Sequence, residues 1–130
     1  MLTKRAFLAA SLVVASGAVR AQAYPAKSIR LIVPLAPGAT ADIVARIFAE
    51  ELGKALGQTV VVDNKTGAGG TIGTADAARA PADGYTVALV SQGTMVFNIG
   101  LYKAPGYDSL KDLTPVAVTR ASGSRPVALR

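Results

Sequence analysis

The 130-residue sequence contains no cysteine, no histidine and no tryptophan, and aromatic residues make up only 5% of it. Without cysteine there is no disulfide framework, no thiolate zinc site and no thiol nucleophile. Without histidine the commonest general base and metal ligand is missing, so Ser-His-Asp and Cys-His arrangements are excluded. Carboxylates alone can run acid–base chemistry, but no closely spaced acidic pair marks a site. Neither a cofactor nor a metal is expected. Negative charge is scarce, 8 Asp+Glu against 14 Lys+Arg. The bases are scattered, however, and no recognition motif accompanies them, so nucleic acid is not an expected partner. A modest positive field that draws anionic solutes fits better.

What is present begins with an export signal over residues 1–23. Lys4 and Arg5 supply a positive start, Ala6 to Val19 is mostly apolar, and Ala21-Gln22-Ala23 has the small-x-small pattern of a cleavage site. The apolar run is too short for a membrane-spanning helix, which needs about 20 residues. Cleavage is expected after Ala23, or after Ala21, giving a periplasmic chain. Lys4, Arg5 and Arg20 leave with the signal, so 11 bases then face 8 acids, a net charge of +3. The length that remains suits one small domain with a modest core.

Along that domain, Lys27–Val33 is expected as a strand stopped by Pro34. Its Leu31-Ile32-Val33 centre is continuously apolar, as in a strand buried on both faces. A helix follows from Asp42, with its N-cap at Ala39 or Thr40. Ile43, Val44, Ile47, Phe48, Leu52, Ala55 and Leu56 are expected to form its core stripe, and Gly57 to end it. Thr59–Val62 is a second strand, rich in β-branched residues. A glycine loop comes next, then a short helix from about Gly73 to Arg79, a turn at Pro81–Gly84, and a third strand over Tyr85–Val90. Met95 to Tyr102 is expected to be another short helix, and Val116–Val118 to begin a fourth strand. Phe48, Tyr85 and Phe97 are expected in the core.

Alternating strands and helices at this spacing imply a parallel sheet, in which ligands sit beyond the carboxyl ends of the strands. Three loops leave those ends, Pro34 to Ala41, Asp63 to Gly70 and Ser91 to Asn98. The glycine loop fails both common phosphate patterns. In G-x-G-x-x-G the third position falls on Ile72, and Lys65-Thr66 precedes the glycines rather than following them as a phosphate loop requires. Glycines at 67, 69 and 70 leading into a helix suit either an anion held by backbone N–H groups or close packing of helix on sheet. Pro37-Gly38-Ala39-Thr40 also leads from a strand into a helix, and two such helix starts side by side suit a carboxylate. Lys65 is the only base in either loop, too little for phosphoryl transfer.

The order of several motifs is then recognisable. Ile29 to Asp42 with Ala45-Arg46, Val61-Val62-Asp63-Asn64 with Gly67-Ala68-Gly69-Gly70, Pro81-Ala82-Asp83-Gly84-Tyr85-Thr86, and Tyr107-Asp108 with Lys111 to Val116 together resemble the Bug family. These are periplasmic receptors of tripartite tricarboxylate transporters. The resemblance runs from Tyr24 to about Val118. It implies an α/β chain with a parallel-sheet core, part of the first lobe of a type II periplasmic-binding-protein fold, with the second lobe absent and residues 119–130 an atypical tail from a truncated or frame-shifted frame. It also implies a small carboxylate ligand (a dicarboxylate, tricarboxylate or acidic amino acid) and membrane transporter subunits as partners. Carried over residue by residue, ligand contacts are expected at Pro37, Gly38, Ala39, Thr40 and Asp42, at Gly67, Ala68, Gly69 and Gly70, and at Ser91, Gln92 and Thr94. The family usually has glycine where Ala39 stands, and Arg-Pro where Lys65-Thr66 stands. A small α/β enzyme acting on a phosphorylated substrate, and a fragment that binds nothing, are the alternatives.

Overall fold

The computed structural model describes residues 24–119. The expected export signal (1–23) and residues 120–130 of the expected tail lie outside them. Three strands form one parallel sheet: β1 (Ile29–Val33), β2 (Val60–Asn64) and β3 (Thr86–Ala88), in the order β2-β1-β3. In register, Ile29 stands beside Val60 and Val33 beside Asn64, while Arg30 stands beside Thr86 and Ile32 beside Ala88. The central strand is the one with the continuous apolar run. Ile29 and Leu31 are 2% exposed, and Ile32 and Val33 are fully buried. A strand with neighbours on both edges and helices on both faces is mostly apolar, and its one polar residue, Arg30, is ion-paired with Asp63 and Asp76.

Helix α1 (Thr40–Leu56) covers one face and α2 (Thr71–Arg79) the other. Alternation along β1 separates the faces. Leu31 and Val33 meet Ala45 and Ala49 of α1, with Val60, Val62, Val87 and Leu89 around them. Arg30 points the other way and bonds Asp76 of α2 at 2.8 Å. The α1 stripe differs from the expected one. Asp42, Ala45 and Ala49 are buried, whereas Ile43 is 54% and Ile47 62% exposed, and Val44 and Phe48 are also exposed. Small side chains let the helix axis approach the sheet closely. At Gly53 an added Cβ would stand 3.1 Å from the Gln58 carbonyl oxygen of the connection to β2 and 3.9 Å from Val60 Cγ2 on that strand. The large apolar residues are left to the flanks.

Ala39 is the N-cap and Gly57, at φ 65°, closes the helix with its N–H on the Gly53 carbonyl. Strand β3 is shorter than Tyr85–Val90, although Leu89 N–H still reaches the Ile32 carbonyl at 2.9 Å. Residues Gly93–Phe97 form a π-helical turn that continues into α3 (Asn98–Leu101), so this helical segment starts before Met95. Phe97 is 60% exposed rather than in the core. Val116–Val118 forms no strand. Its side chains are exposed, and within the described residues no sheet edge pairs with it. Tyr85 is half-buried in a clasp with the start of the domain: Tyr24 donates to the Gly84 carbonyl at 2.7 Å, the two tyrosine rings meet edge-on, and Lys27 sits over the Tyr85 ring.

Candidate functional site

The carboxyl ends of β1, β2 and β3 lie side by side, and the three loops leaving them converge. From β1 the chain passes to β2 on one side, and from β2 it crosses back past β1 to β3 on the other. That reversal is where open parallel sheets hold ligands. The loops present an open surface: Pro37, Gly38, Thr40, Ala68, Gly69, Ser91 and Gln92 are exposed, Ala39 and Gly67 half-buried, and Asp42, Gly70 and Thr94 buried. A groove of about 690 Å³ runs along α1 and the β2 edge, but it opens towards Gly57 and Thr59, at the opposite end of the strand.

Asp42 organises the first loop. Its Oδ2 accepts from Gly38 N–H at 2.8 Å and from Arg46 Nε at 2.9 Å, and its Oδ1 accepts from Asn64 Nδ2 at 2.9 Å. Asn64 also donates to the Leu35 carbonyl. The carboxylate thus ties the first loop, α1 and the end of β2 together, and at 2% exposure it faces these partners rather than a ligand. Arg46 beside it, then the Gly38 N–H and Asn64, hold its pKa down to about 2 from the ordinary 3.8. A depressed carboxylate stabilises the fold above its ordinary pKa, and that stabilisation is lost as pH falls through the folded value. The Gly38 amide resonance should therefore titrate with a midpoint near 2. A midpoint near 3.8, read by NMR between pH 5 and 1.5, would show that the loop is not tied this way.

The glycine loop turns its acceptors inward. Gly67 O accepts from Gly70 N–H at 2.9 Å, Ala68 O from Thr71 N–H, Gly69 O from Asn98 Nδ2 at 3.1 Å, and Gly70 O from the Thr74 hydroxyl at 2.9 Å. All four carbonyls are thus hydrogen-bonded within the chain, and Ala68 and Gly69 are exposed residues. The first N–H groups of α1, at Thr40 and Ala41, have no intrahelical acceptor by the geometry of any helix start. Gly70 has φ 92°, and an added Cβ would stand 2.7 Å from Thr94 Cγ2 and 3.3 Å from the Pro34 carbonyl. Gly73 is tighter still, 2.5 Å from the Lys65 carbonyl and 2.9 Å from Pro34 Cβ. Close packing of helix on sheet therefore accounts for Gly70 and Gly73, while Gly69 is exposed.

Charge around these loops is internally paired. Lys65 Nζ lies 2.9 Å from Asp76 Oδ2, which Arg30 also reaches, and Arg30 Nε donates to Asp63 at 2.8 Å. Lys65, then Arg30, lower the Asp76 pKa. In the third loop, Ser91 and Thr94 exchange hydrogen bonds, and the buried Tyr107 hydroxyl donates to the Thr94 carbonyl. Burial raises the Tyr107 pKa. No group of three or more metal-ligating side chains exists among the described residues. Around the three loops Lys65, Arg30 and Arg46 are paired with Asp76, Asp63 and Asp42, and the exposed loop residues Thr40, Ala68, Gly69, Ser91 and Gln92 are uncharged.

Residues 44–128 match the family model described as tripartite tricarboxylate transporter family receptor. The chain belongs to that receptor family. BugT of Bordetella pertussis is 44% identical over 113 residues, which are 85% of this chain and 33% of BugT. Among solved structures, periplasmic binding protein BugD is 46% identical with a TM-score of 0.69, covering 72% of this chain and 31% of that one. MatC of Rhodopseudomonas palustris, solved with bound malate, is 37% identical with a TM-score of 0.69, over 72% of this chain and 32% of that one. The chain spans about a third of the length of these relatives. Among the described residues, no helix is long and apolar enough to cross a membrane.

In this receptor chain the expected contacts fall into one surface, with three exceptions by burial, Asp42, Gly70 and Thr94, whose side chains or backbone support the loops from behind. Pro34, Asn64, Asn98 and Tyr107, which lie at loop ends or in the motifs, are not among the expected contacts, yet they support the three loops. For Asn98 a signal existed, one amide in the run Met95-Val96-Phe97-Asn98-Ile99. A polar residue inside an apolar stretch commonly has a fixed partner when buried.

Proposed function

We propose that this chain is the exported, periplasmic receptor part that captures a small carboxylate for the membrane subunits of a tripartite tricarboxylate transporter. The observation that carries the proposal is the exposed glycine loop whose four carbonyls are all hydrogen-bonded within the chain. A carboxylate there would accept from Ala68, Gly69 and the first amides of α1, and the helix dipole adds to the attraction. Bound malate in the relative MatC supports the ligand class. Pro37–Thr40, Gly67–Gly70 and Ser91–Thr94 form the proposed wall. Because Lys65 and Arg46 are already paired, recognition rests on neutral donors and depends little on salt.

The three loops by themselves offer few contacts, so the affinity of residues 24–130 alone should be weak, about millimolar. The test is a malate titration of the ¹⁵N-labelled mature chain, whose N-terminus by mass spectrometry is expected at Tyr24 or Gln22. Saturable shifts confined to amides in the three loops are the expected result. Absence of loop shifts at tens of millimolar malate would end the carboxylate proposal, and micromolar affinity would refute the single-wall account.

A further inference from the structure

We infer that Asn98 is the positioning residue that holds the glycine loop with its donor side outward, an inference that rests on the carboxylate proposal. Three of the four inward carbonyls are held locally, by Gly70 N–H, Thr71 N–H and the Thr74 hydroxyl. Gly69 O alone is held from a distant part of the chain. Asn98, only 8% exposed, commits its amide group to that carbonyl at 3.1 Å and to the Thr71 hydroxyl at 3.0 Å.

The peptide it restrains is the one with least steric restraint of its own. It lies between Gly69 at φ 61° and Gly70 at φ 92°, and neither flank has a Cβ to oppose rotation. Rotation of that peptide would break the Gly70–Gly67 turn bond and swing a carbonyl oxygen to the surface where carboxylate oxygens would sit. Two acceptors would then face each other. Asn98 begins α3, directly after the π-helical turn that carries the buried Thr94, and Thr94 Cγ2 abuts Gly70. The third loop and the glycine loop therefore behave as one unit, with the third loop contributing the clamp as well as a wall.

Two variants separate positioning from packing. Asn98→Leu keeps the volume but removes the donor. Thr71→Val removes the other acceptor and leaves the Gly69 bond. On the labelled mature chain, Asn98→Leu should speed hydrogen exchange at the Gly70 amide by about tenfold and cut the malate-induced shifts of Ala68 and Gly69 at least about fivefold. Thr71→Val should leave both within about twofold, even where its melting temperature falls as far. Asn98→Ser, whose hydroxyl is too short to reach Gly69 O, should repeat the Leu pattern and serves if the Leu variant does not fold. Wild-type exchange at Gly70 in the Asn98 variants, or equal losses in Thr71→Val, would overturn the inference. If the wild type gives no malate response, the carboxylate proposal fails, while the Gly70 exchange comparison still decides whether Asn98 fixes the loop.

Discussion

Gly73→Ala should lower the melting temperature by about 8–16 °C, in a helix where alanine is intrinsically the better residue. The propensity gain is about 1 kcal/mol. Against it stands a methyl group placed 2.5 Å from the Lys65 carbonyl oxygen and 2.9 Å from Pro34 Cβ. Neither neighbour is a flexible side-chain end, so α2 must move off the ends of β1 and β2. Overpacking of this kind costs about 3 kcal/mol at its upper range, leaving a net loss of about 2 kcal/mol. For a domain of this size each kcal/mol is worth about 4–8 °C. Gly38→Ala is the internal comparison. Its Cβ would meet nothing within 4 Å, so only the left-handed φ of 81° is penalised, by about 1 kcal/mol. A Gly73→Ala protein as stable as wild type, measured by thermal unfolding, would mean that α2 is not seated against Pro34 and Lys65.

The second large effect tests which side of α1 meets the sheet. Ala45 is fully buried against Leu31 and Val33, so Ala45→Leu should destabilise by about 3 kcal/mol through overpacking. Ile47 is 62% exposed, so Ile47→Ala should change stability by no more than about 0.5 kcal/mol. Were Ile43, Val44, Ile47 and Phe48 the core stripe, the ranking would be reversed, with about 2–5 kcal/mol lost at Ile47. Denaturant unfolding of the two variants distinguishes these outcomes directly.

Both effects show where a linear chain is and is not informative. Leu31-Ile32-Val33 announced a strand buried on both faces, and the structure buries all three. The glycine at the end of α1, the parallel sheet and the three strand-end loops were also legible, because turn chemistry and hydrophobic period are local properties. The α1 stripe was misjudged because apolar size was taken as a guide to burial. Where a helix must lie close to a sheet, alanine and glycine occupy the interface and larger residues are displaced to its flanks. Val116–Val118 forms no strand because β-branched residues make one only when paired, and this segment pairs with neither β2 nor β3.

The candidate site divides along the same line. Its position, at the carboxyl ends of parallel strands with glycines leading into helices, follows from chain order and residue type. Its polarity does not. Four carbonyls turn inward because Gly70, Thr71, Thr74 and Asn98 reach them, and Asn98 is 29 residues from its partner. Asp42 was equally suited by its spacing to a ligand or to the helix dipole. Only the meeting of Gly38, Arg46 and Asn64 around it made it a brace for the first loop. Composition excluded thiol and imidazole chemistry outright, and motif order carried the family. Strand order β2-β1-β3, the pairing of Lys65 with Asp76, and the outward face of the glycine loop required the folded chain, because each depends on contacts between segments whose separation along the sequence encodes no preference for one another.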